Sequence, residues 1–136
     1  LGLEISASTG AGTPTITIGY TNQAGTASRS ATNVLATVAS SAAGSFYQIG
    51  LQAGDTGVRS VQSLTLSATW TSGTMNLVAY RILAALELPT ALAPNAVDFL
   101  TGGAVRLYDG SVPFLLLLPS TTTTSNISGT VIWTQG

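Results

Sequence analysis

In the stretch LQAGDTGVRSVQSL, residues 51–64, Asp55, Thr56 and Gly57 stand together, with Arg59 two residues further on. An Asp-Thr-Gly triplet does chemistry when two chains bring two carboxylates together. Like charges at close range share one proton, and the pair then offers one acid and one base to activate water. Such a triplet should follow a buried apolar strand, whereas here Gly54 precedes Asp55 and the run reads AGDTGV. No later stretch supplies an apolar-apolar-Gly strand to brace it. The better reading is a tight turn, with Asp55 capping it and Gly57 relieving the backbone. Asp55 and Arg59 could then pair across that turn, or reach charged partners on a neighbouring subunit, where a charge sets geometry more than affinity.

The other carboxylates, Glu4, Glu87, Asp98 and Asp109, are far apart in sequence. A glycosidase needs two carboxyls about 5 to 9 Å apart, and no motif here arranges that meeting. Tyr108-Asp109-Gly110 has the makings of a sugar-binding loop, but a hairpin turn explains it more simply. The chain has no Cys and no His, so the thiolate and imidazole ligands of zinc, iron and copper are missing. The nucleophile-base pairs built on those side chains are missing too. No catalytic residues, no metal and no cofactor are expected, and the chain reads as a non-enzyme.

Charge is scarce throughout. Charged residues make up 7% of the 136, there is no Lys, and the net charge is −1, where about 25% charged is usual for a soluble domain. With a mean hydropathy of +0.43, such a surface would have poor colloidal stability if water covered all of it. Much of it is therefore expected to be covered by other subunits. The arginines, Arg29, Arg59, Arg81 and Arg106, are scattered singly rather than gathered into a phosphate-neutralising stripe, so no nucleic-acid partner is expected. Apolar runs such as residues 114–118 fall far short of the ~20 residues of a membrane helix, and no membrane partner is expected.

The elements that must position these residues read mostly as strands. In PTITIGYTN, Ile16, Ile18 and Tyr20 share one face, and NQAG follows as a turn. TASRSATNVLATVAS returns as a less regular strand carrying Arg29 outward, and SFYQIGLQ supplies a third. In RSVQSLTLSATW the apolar face switches between Val61 and Leu64, the mark of a bulge or of the strand's true start. TSGT then reads as a hairpin connection into MNLVAYRILAALEL, a strand first and an irregular or helical end before Pro89. Residues 89–103 suggest a long connection with one helical turn at 96–100. Asp109-Gly110 separates two further short strands, and residues 114–118 fit a central strand covered on both faces. ISGTVIWTQG closes the chain as a last strand, with Val131 and Trp133 on one side. The expected fold is all-β: a β-sandwich or jelly roll of about eight short, mainly antiparallel strands. Residues 1–136 form a single domain in this reading, with 1–13 allowed as an extended N-terminal arm.

Four segments together carry a family resemblance: TITIGYTNQAGTASRSA, FYQIGLQAGDTGVRSVQSLTLSATWTSGTMNLVAYR, LYDGSVPFLLLLPS and SGTVIWTQG. Over most of the chain, from about residue 13 to 136, the sequence resembles small structural proteins of tailed-bacteriophage virions, capsid decoration or cement proteins above all. The resemblance implies a β-sandwich on the capsid surface, binding the major capsid protein and associating as a homo-oligomer, trimer or dimer. No residue's role carries over with it. Asp55, Arg59, Arg29 and Asp109 are the candidate inter-subunit contacts. The alternative within the same setting is a tail, baseplate or fibre module that binds a host surface glycan.

Overall fold

The structure is a computed structural model that describes residues 1–88, 95–98, 106–118 and 127–132. It divides into two compact units, Leu1–Ala85 and Leu86–Gly136. The first is all-β. Its six strands are β1 (Gly2–Ala7), β2 (Ile16–Asn22), β3 (Arg29–Asn33), β4 (Phe46–Gly50), β5 (Val58–Leu66) and β6 (Thr74–Val78). They form one curled antiparallel sheet in the order β5-β2-β3-β4-β1-β6. β2, β3 and β4 run as a meander, β5 returns beside β2 in Greek-key fashion, and β1 lies beside β4.

Period-two alternation sets which face is buried. Along β2 the pattern is strict, with Ile16, Ile18, Tyr20 and Asn22 buried and the residues between them half-buried. Register then fixes the neighbours, because residues directly opposite share a face. Leu64 and Leu66 face inward opposite Ile18 and Ile16, Ala31 opposite Ile18, and Leu77 and Met75 opposite Leu3 and Ile5. Leu3, Ile5, Ile16, Ile18, Tyr20, Ala31, Ile49 and Trp70 make up the core. Each large side chain of this kind contributes about 1.5 to 3 kcal/mol through burial.

Several expectations change here. Residues 2–7 are not an arm but β1, flanked on both sides by β4 and β6, with Leu3 and Ile5 fully buried. Arg29 does not point outward. It sits opposite Tyr20 in the β2–β3 register and shares the parity of buried Ala31, so the strand turns it toward the inner face. TSGT does not close a hairpin either, because β5 and β6 border opposite ends of the sheet. Residues 67–73 instead form a strap between the two edges. Trp70 of that strap is buried and stacks on Tyr47, ring centroids 6.1 Å apart. The strap lies along the loop after β1, held by Ser67 N–H to Thr15 O at 2.9 Å and Gly10 N–H to Ser72 O at 3.3 Å.

The face switch in β5 is a bulge. Gly19 pairs with Ser63 and Tyr20 with Val61, which leaves Gln62 as the extra residue. A second shift, from Thr21–Ser60 to Asn22–Val58, leaves Arg59 as another. Beyond β6, residues 79–88 are irregular.

In the second unit the turn at Asp109-Gly110 is present. Tyr108 O accepts the Ser111 N–H at 3.0 Å, and Gly110 has φ 79°, a value open to glycine at little cost. The strands expected on either side of it, and the last strand at 127–132, do not form among the described residues. Nor is there a helix at 95–98. Pro89, residues 99–100 of the expected helical turn, and Trp133 lie outside the described residues.

Candidate functional site

Asp55 is the centre of the best-defined polar cluster in the first unit, and three elements converge to build it. β2 ends with Tyr20 and Asn22 on the inner face, β3 begins with Arg29 opposite Tyr20, and the loop between β4 and β5 delivers the carboxylate. That loop is shaped by a tight turn in which Asp55 N–H donates to Gln52 O at 3.0 Å and Gly54 takes φ 87°. A positive φ at the third position is what a type II turn requires, which is why a glycine precedes the aspartate. Gln23, just past β2, holds the other side of the loop. Its side-chain oxygen accepts the Thr56 and Gly57 N–H groups, both at 3.2 Å.

The carboxylate is fully engaged. Arg29 donates from Nε to Oδ2 at 2.8 Å and from Nη2 to Oδ1 at 3.2 Å, a two-pronged contact. Tyr20 donates its hydroxyl to Oδ2 at 2.5 Å and Asn22 its Nδ2 to Oδ1 at 2.8 Å. The Tyr20 oxygen in turn accepts the Gln52 N–H at 3.0 Å, and Arg29 Nη2 reaches Ala53 O at 3.4 Å. Asn22 also accepts the Ala24 and Thr26 N–H groups at 3.1 and 2.8 Å, which ties the hairpin turn into the same cluster. The Asp55 side chain is 3% exposed, against 23% for Arg29.

The electrostatics follow from these contacts. The Arg29 guanidinium, then the Tyr20 and Asn22 donors, hold the Asp55 carboxyl down to about 2. Burial, then donation to Asp55, pushes the Tyr20 phenol up. A carboxylate held ionised by an arginine is in the opposite condition from one that shares a proton with a twin. Asp55 here anchors a loop and joins a hairpin to it.

The expected contact residues are thus separated. Asp55 and Arg29 meet each other inside the chain, and the Asp55–Arg59 pair across the turn does not form. Arg59 is exposed in the second bulge of β5, and its side chain makes no hydrogen bond or ion pair to another described residue. Asp109 belongs to the turn of the second unit. Tyr20 and Asn22 were not foreseen as members of the cluster. The available signal was that Tyr20 and Asn22 continue the inward face of β2 to its end, where a buried phenol and amide both need partners. One buried polar atom in the first unit, Trp70 Nε1, has no partner among the described residues.

No protein-family model, curated protein or solved structure matches this chain.

Proposed function

We propose that the chain is a non-enzymatic structural protein of a tailed-phage virion. It acts as a decoration or cement subunit that binds the major capsid protein at the capsid surface and associates with further copies of itself. The observation that carries this reading is the distribution of charge. In a chain with 7% charged residues, Arg29 and Asp55 are turned onto each other inside the first unit. Apart from the scattered Arg59, Arg81, Glu87, Asp98, Arg106 and Asp109, what remains exposed is Ser, Thr, Gln and apolar side chains, including Val61, Leu64 and Leu77 on the partly open inner face of the sheet and Val112, Leu115 and Leu118 in the second unit. Such a surface suits a part enclosed by neighbours better than one alone in water. Binding only the assembled shell would stabilise that state by mass action. Arg59, exposed and without a partner among the described residues, is the candidate charge for a contact with a neighbouring subunit. The nested pairing of β1 with β6, β2 with β5 and β3 with β4 supports a rolled, jelly-roll form of the β-sandwich as the finer architecture.

The test is cosedimentation of the purified protein with capsids of the phage that carries its gene, prepared without the protein, before and after shell expansion. Saturable binding to expanded shells, with a rise in their disruption temperature, is the expected result. Protein that ignores shells but binds host surface glycan would overturn it in favour of a fibre or baseplate module.

A further inference from the structure

The two edges of the sheet are not equally guarded. An exposed strand edge offers unpaired backbone groups to any other strand, and proteins blunt such edges with charges, prolines and bulges. β5 has two bulges and carries Arg59 in one of them. β6 has none of these devices. Its five residues, TMNLV, contain no charge and no proline, its bulge partner Ser6 lies on β1, and no strand among the described residues pairs with its outer side.

Hydrogen bonding on β1 shows which groups that outer side presents. Ile5 N–H donates to Ser45 O, Ile5 O accepts Gly44 N–H, and Leu1 O accepts Ile49 N–H, so the odd residues of β1 turn their backbone toward β4. Residues along a strand alternate in this respect, so Gly2 and Glu4 turn toward β6 and form the hydrogen-bonded pairs with Val78 and Asn76. Within β6 the backbone groups of Met75 and Leu77 therefore point away from the sheet. The same two residues carry their side chains on the inner face, opposite Ile5 and Leu3, with Leu77 38% exposed.

We propose that β6 docks antiparallel on β6 of a second copy, about a two-fold axis through Asn76, joining two sheets into one. This register sets Met75 against Leu77 twice, each pair exchanging both backbone hydrogen bonds, and sets Thr74 against Val78. The apolar inner face continues across the junction, and no like charges oppose each other, because the strand has none. The same pairing at β5 would bring two copies of Arg59 into one joint. A contact between two five-residue strands is smaller than the ~1,200 Å² of a stable interface, so it is weak between free chains. It fills when copies are held side by side, and that last step rests on the virion reading, while the contact itself does not.

The chain has no cysteine, so a single introduced one reports only on contacts between copies. Across the axis, Asn76 faces its counterpart as a non-hydrogen-bonded pair with Cα atoms about 4.5 Å apart, inside the window a disulfide requires. Under mild oxidation at high protein concentration, Asn76→Cys is expected to form a disulfide dimer at least about tenfold faster than Ser63→Cys, which sits on the outer face of β5. Adding Leu77→Lys to Asn76→Cys should abolish that advantage. The unsubstituted protein gives an independent readout: hydrogen exchange at the Met75 and Leu77 amides should slow as concentration rises, while exchange at Asn76, already bonded to β1, should not change. Equal trapping at positions 76 and 63, or exchange at Met75 and Leu77 that ignores concentration, overturns the proposal. Trapping by a chain that ignores capsids leaves the proposal standing and removes the virion reading. Capsid binding without trapping does the reverse.

Discussion

The β5 and β6 edges follow one another in sequence, border the same sheet, and differ in almost every respect that governs how an edge meets its surroundings. β5 has nine residues, two bulges and an arginine, and its neighbour β2 ends in the Asp55 cluster. β6 has five residues without a charge, next to β1, and its outer-face company is aromatic. Phe46 of β4 reaches across Gly2 of β1 to meet Tyr80 edge-on, ring centroids 5.5 Å apart. On the proposed pairing, the sheet is closed to association on one side and open on the other through very few residues. Two insertions and one guanidinium are the guards that β5 has and β6 lacks.

The largest effect should come from breaking what the edges share. Trp70→Ala removes the buried ring of the strap and should cost about 3 to 5 kcal/mol in urea denaturation, with amides of both β5 and β6 exchanging faster. If only one edge loosens, the strap does not couple them.

Acid should act next, and on the β5 side. The Asp55 carboxyl lies at about 2 in the folded chain, below its ordinary 3.8. A depressed carboxyl contributes stability that is complete above its ordinary value, shrinks as pH falls from there toward 2, and is gone below. Melting temperature should therefore fall over that window, and Asp55→Asn should flatten the fall. A profile unchanged by the substitution would remove Asp55 from the account.

Two glycines then separate the edges directly. At Gly2 a methyl group would run into the Phe46 ring, so Gly2→Ala should cost about 1 to 3 kcal/mol and weaken the Phe46–Tyr80 contact. At Gly19 the obstacle is the Ser63 hydroxyl, which can rotate away, and Gly19→Ala should lie within about 1 kcal/mol of neutral. Matched chemical-denaturation curves would show whether that contrast holds. Smallest of all for stability is Arg59→Thr, expected within about 0.5 kcal/mol. Its effect should appear instead as concentration-dependent light scattering, because the guard on the β5 edge is gone.

Some of this was legible in the residues and some was not, for physical reasons. The strict alternation of Ile16, Ile18 and Tyr20 could be read because period two is the geometry of a strand with one buried face. The face switch between Val61 and Leu64 could be read for the same reason, and it became the Gln62 bulge. β1 stayed hidden because GLEISA offers only Leu3 and Ile5 as inward residues, too short an alternation to mark a strand although Gly10, Gly12 and Pro14 bound it. TSGT misled because local turn chemistry says that the chain bends, not which strands the bend joins. The partner of Asp55 was out of reach as well. Arg29 lies 26 residues away, and the two meet only through the register of one hairpin and the shape of one glycine turn. Residues 114–118 taught the opposite lesson. An apolar run states a need for burial, but it does not state that a strand of the same chain will supply it.

The strap through Trp70 has a mechanical side. A sheet whose outermost strands are consecutive in sequence carries a tether between its two borders, so a border strand drawn from its neighbour stays tied through residues 67–73 to the opposite border. With Trp70 wedged against Tyr47, that tether does not slide freely. Tension on one border is then shared with the other, and the sheet resists being peeled strand by strand, yielding as a whole.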